Sequence, residues 1–324
     1  DTLAAEMTGE PIQYVLRGTD IDKSDAIAEL NAVMESESKS MYDIELCRWR
    51  SIAGTAYRFI GNDDGNGSIL DDSSLYLTVE DPRYTFVAYY DNGREAFSCQ
   101  ISEDEKGNTL YHVYTNQEWF DISGDKIIES DLNGNMALPV IEYPNNERRL
   151  SDIEITWSIS DAINTLVSDR INGIEQFVSE CLVVTDTLAR READHRFQIV
   201  DSGEGALVVK SNNGSENKAD VDVLTSELNQ TEGQVAMDDM FEKFLVIQGI
   251  ANRQSNTGGD TQGAVELRNG HYDAEKRAEL SEPIFKHAER KALRVILNRM
   301  RVERGLKLNI SDVEIHISRS KMDN

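Results

Sequence analysis

Cysteine is scarce in this chain, and the few cysteines form no known motif. Cys47, Cys99 and Cys181 are widely spaced and odd in number, and no two of them form a CxxC pair. Their arrangement therefore suggests neither a zinc site nor a disulfide framework. A reducing compartment is the expected environment.

Long apolar runs and catalytic motifs are absent as well. No stretch approaches the roughly 18 apolar residues that span a bilayer, and the first residues lack a signal-peptide pattern. No GxSxG or HExxH sequence and no plausible Cys/His arrangement indicates catalysis. We therefore expect no enzyme activity, metal, cofactor or membrane segment. The five histidines, which lack metal-ligand spacing, are His112, His195, His271, His287 and His316.

Basic residues are also few, since 33 Lys and Arg stand against 59 Asp and Glu and give a net charge of -26. A protein that reads a DNA groove needs basic side chains to neutralise phosphates, so the composition argues against that class. The acidic surplus fits a surface that repels DNA, and it fits equally a surface whose charge serves solubility. With so many carboxylates, no single pair can be selected as an acid/base couple.

Residues 1–150 have the pattern of an α+β region. A turn and a short strand are predicted at 9–15, mostly helical structure at 24–49 with Ser24 as a cap, and short strands from 53 to 141. The turn at 91–93 (DNG) predicts a hairpin. Residues 62–67 (NDDGNG) resemble the start of a calcium loop, but Ser73 stands where a bidentate Glu is needed, so a plain loop is predicted.

Three long helices are predicted after residue 150. The first covers 151–181, with Ser151 and Glu154 at capping-box spacing and one apolar stripe suited to partner helices. A β-rich insert at 182–226 separates it from the second helix at 227–252. A Gly-rich loop at 253–263 leads to a third helix at 264–304, which Pro283 should kink and Gly305 should end. The segment 313–318 alternates like a strand and is predicted to return to the sheet of the first region.

Two short segments are candidate contact sites. The insert contains a basic cluster that is a candidate contact for DNA or an acidic partner, or else a turn whose charges pair with Glu192 and Asp194. The loop at 253–263 precedes a helix, as phosphate-binding loops do, but it lacks a Gly-Lys-Ser/Thr ending, and Asp260 would repel a phosphate. A flexible polar linker is the general alternative. The basic cluster consists of Arg190, Arg191, His195 and Arg196.

Several blocks of the chain form a recognisable set. They are residues 141–149 (IEYPNNERR) with Ser151, Asp152 and Glu154, residues 166–172 (LVSDRIN), residues 175–177 (EQF) and residues 256–266 (NTGGDTQGAVE). These blocks resemble the portal proteins of tailed bacteriophages, especially long-tailed phages of Gram-positive hosts. Their order and spacing also fit the family. Asp1 is not an initiator residue, so a trimmed piece of a longer chain is expected, without the C-terminal crown of the family.

The resemblance implies a portal-like α+β fold with a specific division. Residues 1–150 would form the wing, 151–181 and 227–252 the two stem helices, and 182–226 the clip. Residues 253–263 would form the tunnel loop, 264–304 the long kinked helix and 305–324 the return strand to the wing. The tunnel loop would face DNA in the channel with Arg253, Gln254, Ser255, Asn256, Thr257, Gly258, Gly259, Asp260, Thr261, Gln262 and Gly263.

The resemblance also implies a function. The chain would form a ring, typically of twelve subunits, at one capsid vertex of the virion after assembly in the host cytoplasm. Double-stranded DNA would pass through it during packaging and ejection. Its partners would be the terminase motor, the head-completion adaptor, the major capsid protein and the scaffolding protein, with the basic cluster of the clip as a contact. The alternatives are a non-catalytic acidic scaffold or binding protein, and an acidic hydrolase whose site is assembled from distant residues.

Overall fold

The computed structural model describes residues 7–8, 10–18, 23–62, 75–104, 106–178, 181–186, 200–201, 206–211, 220–224, 230–250 and 262–318. The described residues contain both long helices and many strands, which confirms the α+β class. It divides into two compact units. The first unit comprises Asp1–Thr156 and Val246–Asn324, and the second comprises Trp157–Leu245.

The first unit begins with strand β1 (Gln13–Leu16) and helices α1 (Ser24–Ser36) and α2 (Lys39–Ala53). The mostly helical structure predicted at 24–49 is confirmed, and Ser38, which adopts a left-handed conformation with φ 53°, separates α1 from α2. The prediction that Ser24 caps the helix is wrong. Lys23 occupies the N-cap position, and it makes no side-chain capping bond.

A three-stranded antiparallel sheet lies at the centre of this unit. It contains β2 (Thr55–Asn62), β3 (Leu75–Glu80) and, later in the chain, β9 (Val140–Pro144), in the order β3-β2-β9. Inward-facing side chains of β2 and β9, such as Ile60 and Ile141, are buried in the same core as α1 and α2. Apolar burial of this kind is the main source of stability for the unit.

A five-stranded antiparallel meander is formed by β4 (Thr85–Tyr89), β5 (Glu95–Glu103), β6 (Thr109–Tyr114), β7 (Glu118–Ser123) and β8 (Lys126–Leu132). The DNG segment at 91–93 connects β4 to β5, which confirms the predicted hairpin. Strand β8 is an edge strand, and all seven of its residues are exposed.

The second unit contains most of helix α3 (Asp152–Val178) and most of helix α4 (Gln230–Gln248). Between them lies a sheet with the strand order β11-β12-β10-β13. The β-rich character predicted for the insert is confirmed, and the described part of it contains four strands. The four strands are β10 (Cys181–Asp186), β11 (Val200–Asp201), β12 (Ala206–Ser211) and β13 (Asp220–Leu224).

Helix α5 (Gln262–Arg304) runs back through the first unit and is the longest element of the chain. It continues on both sides of Pro283 and ends at Gly305, whose φ is 68° as expected for a helix-terminating glycine. After a short 3-10 turn, β14 (Val313–His316) pairs antiparallel with β1. The final strand thus joins a separate two-stranded sheet and not one of the larger sheets.

Candidate functional site

The loop between β9 and α3 holds the start of α3 in place through local hydrogen bonds. Ser151 N–H donates to Glu154 Oε2 at 2.8 Å, and Glu154 N–H donates to Ser151 Oγ at 2.9 Å, so the predicted capping box is present. Asn146 Oδ1 accepts the N–H groups of Arg148 and Leu150 at 3.1 and 3.0 Å. The segment that carries the family resemblance therefore fixes where the helix begins.

Glu142 and Arg149 close this loop against the sheet. Arg149 Nε and Nη2 donate to the two carboxylate oxygens of Glu142 at 2.6 and 3.1 Å, and the Tyr89 hydroxyl also donates to Glu142. The hydrogen bond and charge of Glu142 raise the pKa of Arg149, and Glu142 is itself buried. A bidentate pair of this kind fixes both distance and orientation.

Asp152, at the first turn of α3, binds groups from four other segments. Its carboxylate accepts hydrogen bonds from Ser51 Oγ of α2 at 2.5 Å and Asn145 Nδ2 of the loop at 2.8 Å, and it forms an ion pair with Arg277 of α5. The backbone carbonyl of Asp152 accepts Gln248 Nε2 at 2.8 Å. In the sequence, Asp152 stands out only as a member of the block that carries the family resemblance. These partners, distant in sequence, appear only in the folded chain.

Gln248 and Arg277 complete a three-helix contact with Asp152, which we call the helix junction. Gln248 is the last residue of α4, and its backbone carbonyl accepts Arg277 Nη1 at 2.6 Å. Its side chain also donates to Thr156 Oγ1 at 2.9 Å. The three residues lie in the first unit. The junction therefore joins the start of α3, the end of α4 and the middle of α5 through charged or hydrogen-bonded groups.

A groove with a volume of about 560 Å³ lies beside the helix junction. Asp152, Gln248 and Arg277 of the helix junction line one part of it. Its remaining walls are mainly apolar or belong to the loop after β9. They are formed by Asn145, Asn146, Glu147, Arg148, Leu150, Ile155, Ile247, Leu280, Ser281 and Ile284.

A second group of charged residues lies in the core of the first unit, and we call it the core ion cluster. It consists of Lys39 and Asp43 of α2, Arg58 of β2 and Glu289 of α5, all at most 3% exposed. Lys39 Nζ lies 2.7 Å from Asp43 and 3.0 Å from Glu289, while Arg58 pairs with both acids. The two positive and two negative charges balance, as buried charges require.

Two tyrosines complete the surroundings of Glu289. Tyr14 Oη and Tyr143 Oη donate to its two carboxylate oxygens at 2.5 and 2.7 Å. Burial alone would raise the pKa of Glu289, but Lys39, Arg58 and the tyrosine hydrogen bonds outweigh it and hold that pKa well below its usual range. Five elements, β1, α2, β2, β9 and α5, thus meet at one carboxylate.

A polar row crosses the five-stranded sheet. His112 Nδ1 lies 2.6 Å from Asp121 Oδ1, and His112 Nε2 lies 3.0 Å from Ser102 Oγ. These are the contacts of a nucleophile, a base and an orienting carboxylate, but acyl transfer also needs oxyanion donors and a substrate cleft. None of the three residues lines the groove. The row was missed because its members come from neighbouring strands nine and ten residues apart.

The predicted contact residues fall almost entirely outside the described part of the chain. Residues 253–261 of the loop lie outside the described residues, and Gln262 and Gly263 begin α5. Arg190, Arg191, His195 and Arg196 of the insert also lie outside them. The calcium-like segment at 63–67 does so too. Their roles stay predictions.

Other observations apply to the described residues alone. No group of three His, Cys, Asp or Glu side chains is placed there to hold a metal ion. No described helix is long and apolar enough to cross a membrane. Cys47 and Cys99 are free and buried, and burial raises the pKa of both thiols.

Comparison with known proteins gives a family assignment that covers the chain. A family model described as "Phage portal protein, SPP1 Gp6-like" matches residues 1–324. The chain belongs to the phage portal protein family. Portal proteins are generally structural and non-catalytic, and the family places the chain in the virion capsid. No curated protein gives a significant match.

One of the resemblance blocks, at 141–152, makes contacts that hold long helices in the first unit. Within 141–152, Glu142 anchors the loop, Tyr143 reaches the core ion cluster and Asp152 forms the helix junction. Each of these contacts positions a long helix relative to the central sheet. The block is therefore a structural signature of how this portal chain attaches its helices.

Proposed function

We propose that this portal protein forms a closed ring at one capsid vertex, through which double-stranded DNA enters during packaging and leaves during ejection. The observation that carries the proposal is the match of the portal family model to residues 1–324. Twelve subunits is the stoichiometry we expect. The terminase motor, the head-completion adaptor, the major capsid protein and the scaffolding protein are the expected partners, with assembly in the host cytoplasm.

The long helices of the second unit support assembly with other copies. No side chain of α3 between residues 157 and 173 is buried, and none of α4 between 233 and 245 is buried. Trp157 is 67% exposed, Ile171 53% and Val235 63%. Large apolar side chains that stay exposed in one chain commonly mark protein interfaces, and a ring would cover them.

The proposed division follows the chain. Residues 1–150 with the return segment 305–324 are the wing, α3 and α4 are the stem, and the insert at 182–226 is the clip. In the clip, Arg190, Arg191, His195 and Arg196 are the proposed partner contacts. The loop at 253–263 is the proposed tunnel loop, and 264–304 is the helix that carries it.

The proposed mechanism is electrostatic and steric. The chain has a net charge of -26, and acidic groups around a closed channel would keep a polyanion from adhering to the wall. The small polar side chains of the tunnel loop would touch the DNA without strong phosphate contacts. An experimental ring structure with no acidic residues on its channel wall would contradict this mechanism.

Negative-stain electron microscopy with native mass spectrometry of the purified chain tests the proposal. The expected result is rings with a central hole and a mass near that of about a dozen subunits, since cyclic assemblies close through one repeated contact. Particles with no central hole would contradict it. A chain that stays monomeric would favour the acidic scaffold alternative.

A further inference from the structure

One part of this acidic chain is strongly basic. Residues 286–307 contain eight Lys and Arg and two Glu, one of which, Glu289, is buried in the core ion cluster. Several of the cations have partners, because Lys286 pairs with Glu282, Lys291 with Glu95 and Arg304 with Glu29.

Arg290 and Arg294 differ from these three paired residues. Both are exposed, and neither forms an ion pair with a described residue. They lie four residues apart on α5, so their Cα atoms are separated by roughly 6 Å along the same face of the helix. Leu280 and Val302, on the same side of α5, are 70% and 83% exposed. We call Arg290, Arg294, Leu280 and Val302 the basic stripe.

The edge strand β8 presents the opposite charge. Residues 118–131 contain five acidic residues and one Lys. Glu129 and Asp131 are exposed, lie on the same face of the strand two residues apart, and form no ion pair with a described residue. Their spacing is roughly 7 Å, close to that of the two arginines.

Strand β8 also exposes apolar side chains. Ile127 is 59% exposed, Ile128 64% and Leu132 73%. A long exposed edge strand with apolar residues can pair with other chains and aggregate, so folded proteins normally cover such a strand. We call β8 with these acids and apolar residues the acidic edge.

We propose that the basic stripe of one subunit docks on the acidic edge of the next copy of this chain. The inference rests on the proposed ring, which needs two different surfaces that match each other. The stripe and the edge differ, carry opposite charge with similar spacing, and both leave apolar side chains uncovered.

A second copy fits the stripe better than DNA does. Nucleic-acid surfaces rely on basic residues that contact phosphates, whereas here three of the surrounding cations, Lys286, Lys291 and Arg304, are engaged with carboxylates of the same chain. The stripe also has large apolar groups at both ends, which gain from burial against protein.

Paired charge reversal tests the interface in the whole chain. Arg290→Glu with Arg294→Glu, and separately Glu129→Arg with Asp131→Arg, should each lower the fraction of subunits in rings by at least about tenfold, because like charges then face each other. The four changes combined should restore rings, since the charges are exchanged. Native mass spectrometry and electron microscopy measure ring content, and circular dichroism checks folding.

A control with the same change of charge uses Arg17→Glu and Lys106→Glu, exposed residues outside both surfaces, and it should assemble like the wild type. If the wild type forms rings and both charge-reversed variants assemble equally well, the proposed interface is wrong and the ring proposal stands. If the variant with Arg290→Glu and Arg294→Glu forms normal rings but no longer binds double-stranded DNA, the basic stripe is a nucleic-acid surface. That result would also overturn the interface. A monomeric wild type would overturn both.

Discussion

Replacing Glu289 by Gln is the sharpest test of how the first unit is held together. The substitution keeps the size of the side chain and removes its charge. Glu289 is fully buried, with Lys39 at 3.0 Å, Arg58 at 3.5 Å and hydrogen bonds from Tyr14 and Tyr143. Without its charge, two buried cations are left with Asp43 as the only anion of the core ion cluster.

The expected loss of stability can be estimated from this charge imbalance. Removing one partner of a buried ion pair costs about 3–5 kcal/mol, because the remaining charge stays buried without compensation. The amide of Gln can still accept a tyrosine hydrogen bond, which limits the loss. We expect E289Q to lower the free energy of unfolding by about 3 kcal/mol. This is a large part of the roughly 5–15 kcal/mol by which a typical domain is stable.

Urea unfolding followed by tryptophan fluorescence measures this loss, with Trp49 of α2 packed against the core as a reporter. Dilute protein should be used so that assembly does not add to stability. The control Glu279→Gln changes a half-exposed Glu on the same helix and should cost less than about 1 kcal/mol. A loss below about 1 kcal/mol for E289Q would refute the reasoning.

A double substitution tests the same charge balance. Lys39→Met alone leaves the core ion cluster with one excess negative charge, and E289Q alone leaves one excess positive charge. Combined, they leave Arg58 and Asp43 as a neutral pair. We expect the double variant to be about 2–3 kcal/mol more stable than the sum of the single losses predicts. Strict additivity would show that the charges do not interact.

The lowered pKa of Glu289 predicts how the stability of the folded chain depends on pH. A carboxyl group with a lower pKa in the folded state than in the unfolded state binds fewer protons when folded. Its contribution is fully present above the unfolded Glu pKa of about 4.3 and is lost as the pH falls through the lower folded pKa. The difference in stability between wild type and E289Q should therefore shrink as the pH falls below about 4.

Three further changes follow from the described contacts and the proposed function. Arg277→Met should lower stability by about 1–3 kcal/mol in thermal unfolding, since Asp152 loses its cation but keeps two hydrogen bonds. The control Lys276→Met should change stability by less than about 0.5 kcal/mol. Equal effects of the two substitutions would contradict the helix junction. Gly54→Ala should cost about 4 kcal/mol or more of stability, because φ is 79° and a Cβ would lie 2.1 Å from the Arg149 carbonyl oxygen. Gly305→Ala, in open space at φ 68°, should cost only about 1–2 kcal/mol. Similar losses for the two variants in urea unfolding would refute the importance of the close contact at Gly54. Deleting residues 256–261 should leave rings intact in electron microscopy and impair DNA packaging, and normal packaging would refute the tunnel-loop proposal.

Local signals in the sequence were reliable where the interactions are local. The capping box of Ser151 and Glu154 predicted the start of α3 to within one residue, and Gly305 correctly ended α5. The DNG turn predicted the β4–β5 hairpin. In each case the interacting atoms belong to residues only a few positions apart, so a short sequence pattern is enough to predict the structure.

Predictions failed where one local signal was weighed alone. The mostly helical structure predicted at 24–49 is confirmed, with Ile27 and Leu30 of α1 buried, but the sequence pattern gave no sign of the break at Ser38. Its left-handed φ of 53° is uncommon for a residue other than glycine. Ser24 looked like a cap by residue type, yet the chain enters α1 one residue earlier.

The sequence by itself determined the family, the α+β class and the positions of the long helices, because periodicity, caps and short motifs act over one or two helical turns. Only the tertiary structure decided that Glu289 meets Lys39, Arg58 and two tyrosines, or that Asp152 meets Arg277 and Gln248. These partners are separated by up to 275 residues. In a chain with 59 acidic residues, a carboxylate becomes structurally decisive through burial and the cations around it, and both depend on how distant segments pack.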